Sequence, residues 1–417
     1  MLKRIDVDQL TIGMHVHEFC GSWMEHPFWR GKLLLNDPKD LSAIHGSSIK
    51  EVWIDSSKGL DVPPGANAVL TAQSDAQVDS ELLQAATPVA NDLPKTREIA
   101  RVPATQEMAR AAKTCERAKH AVVSMFEEAR MGKSVDVGGA GQLVDEISDS
   151  VARNPGALIS LARLKTVDDY TYLHSVAVCA MMVALAKQLG MSESDIRLAG
   201  LAGLMHDLGK AVMPMAVLNK PGKLTDAEFK IIKSHPVEGH KLLLTGDSVD
   251  EIVLDVCLHH HEKMDGSGYP RGLSGDKISI FAKMGAVCDV YDAITSNRPY
   301  KSGWDPAESV RKMAEWANGH FDPVVFQAFV KTMGIYPVGS LVRLTSGRIG
   351  VVIEQTGKSL TMPSVKVFFS TKSNMRIAPH IVDLSHPSCN EKIQGREDPA
   401  VWRFPDLNEL WSEIPGA

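Results

Sequence analysis

Hydrophobic residues recur at three- and four-residue intervals over much of the chain between residues 104 and 335, a pattern typical of helices packed against one another. Thr225 and Glu228 have the spacing of a capping box, and Asp305 followed by a proline predicts another helix start. No alternation typical of strands occurs between residues 110 and 333. We therefore predict an all-α domain over 104–335.

The first part of the chain has shorter periodic segments, which predict a small α+β domain over 1–58. Its expected elements are strands over 10–16, 32–35 and 51–54 and a helix over 37–46. Residues 59–103 contain several prolines and little periodicity, so they are predicted to form a linker.

After residue 336 the hydrophobic period changes to two, which indicates strands. The expected strands are 340–344, 349–353 and 365–369, in a β-rich extension over 336–417. The predicted fold class is thus mainly α, an all-α bundle with a small N-terminal α+β domain and a small C-terminal β-rich appendage.

Composition limits the function classes. The chain has 417 residues and a net charge of −6, so no overall basic field attracts a nucleic acid polymer, and an anionic substrate needs local cations. The six cysteines are scattered, the N-terminus has no apolar signal core, and the longest apolar run, 176–186, is too short to span a bilayer. We expect a cytoplasmic protein that does not bind membranes.

An adjacent pair, His206 and Asp207, lies inside the apolar segment 204–212. Burying an unpaired carboxylate costs several kcal/mol, whereas imidazole and carboxylate together make ligands for a divalent metal. Taken singly, a histidine is more often a core or surface group than a ligand. However, seven of the fifteen histidines lie between 174 and 261, and Asp289 is a carboxylate within another apolar helix.

Helices that converge on histidine and aspartate groups are typical of a dinuclear metal site in a bundle core. We expect Asp207 to bridge two ions about 3.5–4 Å apart. The water between the ions would lose a proton near neutral pH and become the nucleophile. His235, beside a helix-breaking proline, and at least one of His259 to His261, at the end of an apolar helix, are positioned to turn inward.

Six motifs in this order resemble the HD-GYP branch of the HD metal-dependent phosphohydrolases. They are His206-Asp207-x-Gly209-Lys210, His235-Pro236-x-x-Gly239, His260-His261-Glu262, Asp265-Gly-Ser-Gly268-Tyr269-Pro270, Asp289-Val-Tyr-Asp292-Ala293 and Arg298-Pro299-Tyr300-Lys301. The resemblance covers about residues 160–333 and implies an HD-type helical bundle. Residues 1–60 also loosely resemble an uncharacterised domain that often precedes HD-GYP modules.

The resemblance implies hydrolysis of cyclic di-GMP to pGpG and onward to GMP, with two divalent transition-metal ions, most often Fe or Mn. It also implies diguanylate cyclases or other signalling proteins as partners. Carried over by position, one ion is held by His174, His206, Asp207 and Asp289, and the other by His235, His260, His261 and the bridging Asp207. Lys210 would contact the scissile phosphate, Arg298 and Lys301 would bind phosphates, and Gly268, Tyr269 and Pro270 would lie beside the substrate.

One position departs from the family pattern. Some members have a glutamate four residues before the first histidine and bind a third metal, but this chain has Tyr170 there. We therefore expect two metals. The sequence alone leaves three alternatives open: hydrolysis of pGpG or cyclic GMP-AMP, a catalytically weak cyclic-dinucleotide receptor or signalling scaffold, and a di-iron HD oxygenase.

Overall fold

The computed structural model of the protein describes residues 1–21, 32–47, 49–85, 100–133, 137–164, 170–220, 222, 224–246, 249–297, 303–356 and 359–414. Two small antiparallel sheets flank a large helical bundle, as the sequence predicted. The bundle holds most of the buried side chains, and each sheet has a smaller core of its own.

The N-terminal sheet has the strand order β3-β2-β4-β1-β5. Its elements are β1 (Leu2–Asp6), β2 (His15–Phe19), β3 (Leu33–Leu34), α1 (Pro38–His45), β4 (Glu51–Asp55) and β5 (Val69–Leu70). The strand predicted over 10–16 begins later, at His15, because a turn with Gly13 at φ +93° precedes it. β1 escaped prediction because only Ile5 of its five residues is buried.

The predicted linker over 59–103 is wrong for residues 69–85. β5 pairs with β1, and it leads directly into α2 (Thr71–Ala85). The buried face of α2 consists of Ser74, Val78 and Leu82, at intervals of four residues. Only three of the fifteen residues of α2 are large and apolar, and one of them, Leu83, is exposed, so the period was too weak to detect. Residues 86–99 of the predicted linker lie outside the described part of the chain.

The helical bundle begins at residue 104, as expected. Its helices are α3 (Ala104–Arg130), α4 (Val137–Arg153), α5 (Pro155–Arg163), α6 (Tyr170–Gln188), α7 (Glu193–Met205), α8 (Met215–Leu218), α9 (Asp226–Ile232), α10 (His235–Leu244), α11 (Glu251–His259), α12 (Ile280–Thr295), α13 (Pro306–His320) and α14 (Pro323–Met333). Thr225 and Glu228 form the predicted capping box of α9, and Asp305 caps α13.

Helix α6 forms the centre of the bundle, and its contacts explain the long apolar run. It packs against α3, α4, α5, α7, α12 and α14. Val176–Ala186 are therefore buried on every side, which is the expected environment of a helix that is hydrophobic all round. In the described residues, no helix combines the length and the hydropathy needed to cross a membrane.

The C-terminal sheet has the order β10-β6-β7-β8-β9. Its elements are β6 (Leu341–Leu344), β7 (Arg348–Glu354), β8 (Ser364–Ser370), β9 (Met375–Asp383), β10 (Ile393–Arg396), α15 (Pro399–Trp402) and α16 (Leu407–Ser412). The three predicted strands are present to within one residue at each end. β9 escaped prediction because it is an edge strand with an almost fully exposed pattern, so it has no apolar alternation.

The N-terminal domain docks on α13 through Glu315, whose carboxylate is completely buried. Trp53 Nε1 donates a hydrogen bond of 2.7 Å to this carboxylate, and a guanidinium nitrogen of Arg4 lies 3.7 Å away. A second contact joins Lys50 Nζ to Asp265 Oδ2 at 2.6 Å. These contacts fix the N-terminal domain to the bundle.

Candidate metal centre

Five helices bring histidine and aspartate side chains to one place in the bundle core. α6 carries one histidine, α7 ends beside a histidine–aspartate pair, α10 begins with a histidine, α11 is followed by two histidines, and α12 carries an aspartate. Together these side chains are His174, His206, Asp207, His235, His260, His261 and Asp289.

One half of the cluster is formed by His174, His206 and one oxygen from each of the two carboxylates. His174 Nε2 lies 3.0 Å from Asp289 Oδ1 and 3.3 Å from Asp207 Oδ2. His206 Nε2 lies 3.2 Å from His174 Nε2 and 3.4 Å from Asp207 Oδ2. These atoms are close enough to share one cation.

The other half uses the second oxygen of each carboxylate. His235 Nε2 lies 3.1 Å from Asp207 Oδ1 and 3.3 Å from His260 Nε2. His260 Nε2 is 3.8 Å from the same oxygen, and His261 Nδ1 is 3.6 Å from Asp289 Oδ2. Each oxygen of Asp207 thus faces a different group of imidazoles, which is the arrangement of a bridging carboxylate.

The backbone fixes the tautomer of three of these imidazoles. The Nδ1 atoms of His206, His235 and His260 lie 2.8, 2.7 and 3.0 Å from carbonyl oxygens three or four residues earlier. A carbonyl oxygen only accepts hydrogen bonds, so each Nδ1 carries the proton and each Nε2 presents a lone pair. All three lone pairs face the cluster, as they do in metal-ligating histidines.

This arrangement fits a pair of cations. Asp207 Oδ1 is buried and accepts no hydrogen bond, although His235 Nε2 approaches it to 3.1 Å without hydrogen-bond geometry. Facing lone pairs beside buried carboxylates repel one another unless positive charge lies between them. Burial opposes ionisation of Asp207, but the charge of Lys210 holds the pKa of its carboxyl well below the usual range. The donor set therefore remains anionic and ready for a metal.

His174 is oriented by a carboxylate that is not itself part of the cluster. Its Nδ1 lies 2.6 Å from Asp292 Oδ2, and both side chains are buried. Burial disfavours the imidazolium, yet Asp207, Asp289 and Asp292 together raise the pKa of His174 to about 10. Three carboxylates thus lie close to this one ring, and a bound cation would balance their negative charge.

Two glycines allow the halves of the cluster to approach each other. A Cβ atom on Gly209 would lie 1.9 Å from the carbonyl oxygen of His235 and 2.5 Å from the backbone nitrogen of Gly239. A Cβ atom on Gly239 would lie 2.7 Å from Cys257 Sγ and 2.9 Å from Gly209 N. The backbones that carry Asp207 and His235 are therefore in direct contact.

Lys210 reaches the cluster through a tight turn rather than along an α-helix. Residues Leu208–Val212 form a 3₁₀-helix, in which positions three apart lie above one another. Lys210 Nζ consequently hydrogen-bonds to Asp207 Oδ2. The lysine side chain keeps 22% of its surface exposed, so it lies at the boundary between the cluster and solvent.

The loop containing Gly268, Tyr269 and Pro270 covers the cluster next to His261. The Tyr269 ring stacks on the His261 ring with centroids 4.7 Å apart. Glu262, which follows His261 in the chain, accepts hydrogen bonds from the backbone nitrogens of Arg271 and Leu273. It anchors the loop, because two backbone donors satisfy its buried carboxylate.

Some predicted site residues lie outside the described residues, namely Arg298 and Lys301. The same holds for the side chain of Tyr170. Sequence reasoning also missed Lys233, whose Nζ lies 5.0 Å from the centre of the Tyr269 ring. Its position two residues before His235 was the available signal.

Comparisons with known proteins fit this arrangement. The family model described as "HD domain" matches residues 147–325, and a domain of unknown function, DUF3391, matches residues 2–140. The second match extends well beyond the sixty residues for which the sequence suggested an uncharacterised domain.

Three curated proteins resemble the chain. A cyclic di-GMP phosphodiesterase of Pseudomonas aeruginosa, PA4108, is 55% identical over 415 residues, which is 99% of this chain and 96% of that protein. The cyclic di-GMP phosphodiesterase response regulator RpfG of Xanthomonas campestris is 40% identical over 148 residues, 35% of this chain and 39% of RpfG. A 3'3'-cGAMP-specific phosphodiesterase of Vibrio cholerae is 34% identical over 168 residues, 40% of this chain and 36% of that protein.

Proposed function

Because this chain belongs to the HD-GYP family of cyclic di-GMP phosphodiesterases, we propose that it hydrolyses cyclic di-GMP to pGpG at the histidine–aspartate cluster. The proposal depends on one observation: each of the two oxygens of Asp207 faces its own set of histidine rings. A phosphodiester needs a nucleophile and neutralisation of the charge on its oxygens, and a two-metal centre is suited to both.

The ligands divide into two sets that share Asp207. We assign His174, His206 and Asp289 to one ion and His235, His260 and His261 to the other. When bound, the ions supply Lewis acidity and a water that loses its proton near neutral pH. Mixed histidine and carboxylate ligation suits iron or manganese, which we propose as the physiological metals.

The remaining polar side chains have separate roles. Lys210, paired with Asp207 and partly open to solvent, places an ammonium group where the scissile phosphate would bind. Asp292 holds the proton on Nδ1 of His174 and thereby keeps Nε2 turned to the metal. We further propose that Arg298 and Lys301 bind the substrate phosphates.

A related substrate is the main competitor. The similar Vibrio cholerae protein is named for 3'3'-cGAMP, which differs from cyclic di-GMP in one base. The histidine–aspartate cluster is suited to phosphodiester chemistry and contains no group that reads base edges. Cyclic GMP-AMP is therefore the second substrate to test.

The test uses anaerobically purified protein whose metal content has been measured. Cyclic di-GMP, pGpG and cyclic GMP-AMP are incubated separately with the protein, and products are followed by chromatography. We expect cyclic di-GMP to yield pGpG, and Asp207→Asn to abolish the reaction. The control is Asp255→Asn, which alters a partly buried aspartate–histidine pair that contributes no atom to the cluster. Binding of cyclic di-GMP without turnover in metal-loaded protein would instead identify a receptor.

A further inference from the structure

Lys233 places an uncompensated positive charge at the most accessible side of the metal cluster. The potential ligands form two groups, His174, His206 and Asp207 in one and His235, His260 and His261 in the other. Of these six residues only His261 is partly rather than fully buried, and Tyr269 stacks on it. The ammonium group of Lys233 lies 5.0 Å from the centre of the Tyr269 ring and 4.8 Å from that of Phe229. A ligand that approaches the cluster past His261 therefore meets Lys233.

The charge of Lys233 has no carboxylate partner among the residues that the structure describes. Three other lysines in this part of the chain are paired with carboxylates, Lys210 with Asp207, Lys220 with Glu228 and Lys241 with Glu238. Lys233 is held only by two aromatic faces, which attract a cation without neutralising it.

We propose that Lys233 is a substrate-binding residue that contacts a phosphate group of the cyclic dinucleotide, in addition to the cation at Lys210. This inference rests on the proposed function and deepens it. The chain carries a net charge of −6, so attraction of a dianionic substrate depends on such local cations. Tyr269 and Phe229 hold the ammonium in place before the substrate arrives, which reduces the entropy lost on binding.

The test separates the charge of Lys233 from its packing. Lys233→Met keeps an apolar stem against both rings and removes the charge, whereas Lys233→Arg keeps the charge. For cyclic di-GMP we expect Lys233→Met to raise KM about tenfold with kcat changed less than about twofold, and Lys233→Arg to remain close to wild type. The increase in KM should shrink at high salt, because screening weakens the wild-type contact.

Lys241→Met is the matched control, since it removes a lysine of the neighbouring helix α10 that is already paired with Glu238. It should leave KM unchanged. Equal KM values for wild type and Lys233→Met would overturn the proposal, as would a defect in Lys233→Ala that Lys233→Met does not share, because such a defect would show a packing role.

Two measurements separate this inference from the proposed function: equilibrium dialysis of metal-free protein with cyclic di-GMP reports binding, and metal-loaded protein reports hydrolysis. If the wild type binds the nucleotide but does not hydrolyse it when loaded with metal, the proposed reaction fails. The proposed Lys233 contact is then supported if Lys233→Met weakens binding and refuted if binding is unchanged. If the wild type neither binds nor hydrolyses cyclic di-GMP, both proposals are refuted.

Discussion

Replacing Asp292 with asparagine tests whether the cluster binds metal through oriented imidazoles. The hydrogen bond from His174 Nδ1 to Asp292 Oδ2 is 2.6 Å long, and the two side chains are only 2% and 3% exposed. Solvent therefore screens the bond very little. Asparagine can still accept the hydrogen bond from His174 Nδ1, but it lacks the negative charge that makes such a bond roughly twice as strong as a neutral one.

The expected loss is about 10- to 100-fold in metal affinity, as for other residues that orient metal ligands. This corresponds to about 1.4–2.8 kcal/mol of binding free energy. The volume and the buried position of the side chain are nearly unchanged, so the fold should remain intact. Turnover at saturating metal should fall less than metal affinity does, because Asp292 touches the ligand rather than the substrate.

Metal affinity is measured by dialysis against a graded series of chelators, followed by elemental analysis, with circular dichroism as the check on folding. Asp255→Asn is the control, because Asp255 also accepts a hydrogen bond of 2.8 Å from a histidine, but that histidine, His259, is not one of the cluster residues. The reasoning is refuted if folded Asp292→Asn retains wild-type metal affinity, or if Asp255→Asn loses as much.

Three further changes test other parts of the argument. Asp207→Ala should abolish metal loading and hydrolysis together, and a metal-free variant with activity would refute the bridging role. Lys210→Ala should retain metal, while kcat falls by about 10²–10³-fold; unchanged turnover would remove Lys210 from the reaction. Burial raises the pKa of Asp305 to about 6 from 3.8, so the folded state holds a proton that the unfolded chain has lost, and the stability contributed by this group falls as pH rises through this range. Urea unfolding should show wild type losing about 2 kcal/mol relative to Asp305→Asn between pH 4 and 6, and a pH-independent difference would contradict the assignment.

The helices and the clustering of histidines and aspartates were predictable because both leave strong local signals. Long amphipathic or fully apolar segments indicate a bundle, and a histidine or aspartate inside such a segment needs a partner. His174, His235 and Asp289 occur in such settings, and the structure brings them within a few ångströms of Asp207 or of one another. Their division into two groups around Asp207 depends on tertiary packing, which the family resemblance supplied and periodicity did not.

The missed elements share a physical cause. α2 buries one narrow stripe, and β9 buries almost nothing, so neither has the regular apolar period on which prediction depends. The role of Glu262 could not be read from its position beside His261. Adjacent residues after a helix end point in different directions, and Glu262 contacts the loop backbone rather than the cluster.

The contact between Gly209 and Gly239 determines how the proposed metal centre can vary. Main-chain atoms of the two segments are in direct contact there. The distance between the two ligand groups is therefore set by backbone packing, and a different side chain at these positions cannot tune it. Exchanging ligands can alter the preferred element, but a wider or narrower pair of ions would require the two chain segments to shift as rigid bodies. Attempts to redesign this centre for other ions should therefore begin with the backbone path through these glycines.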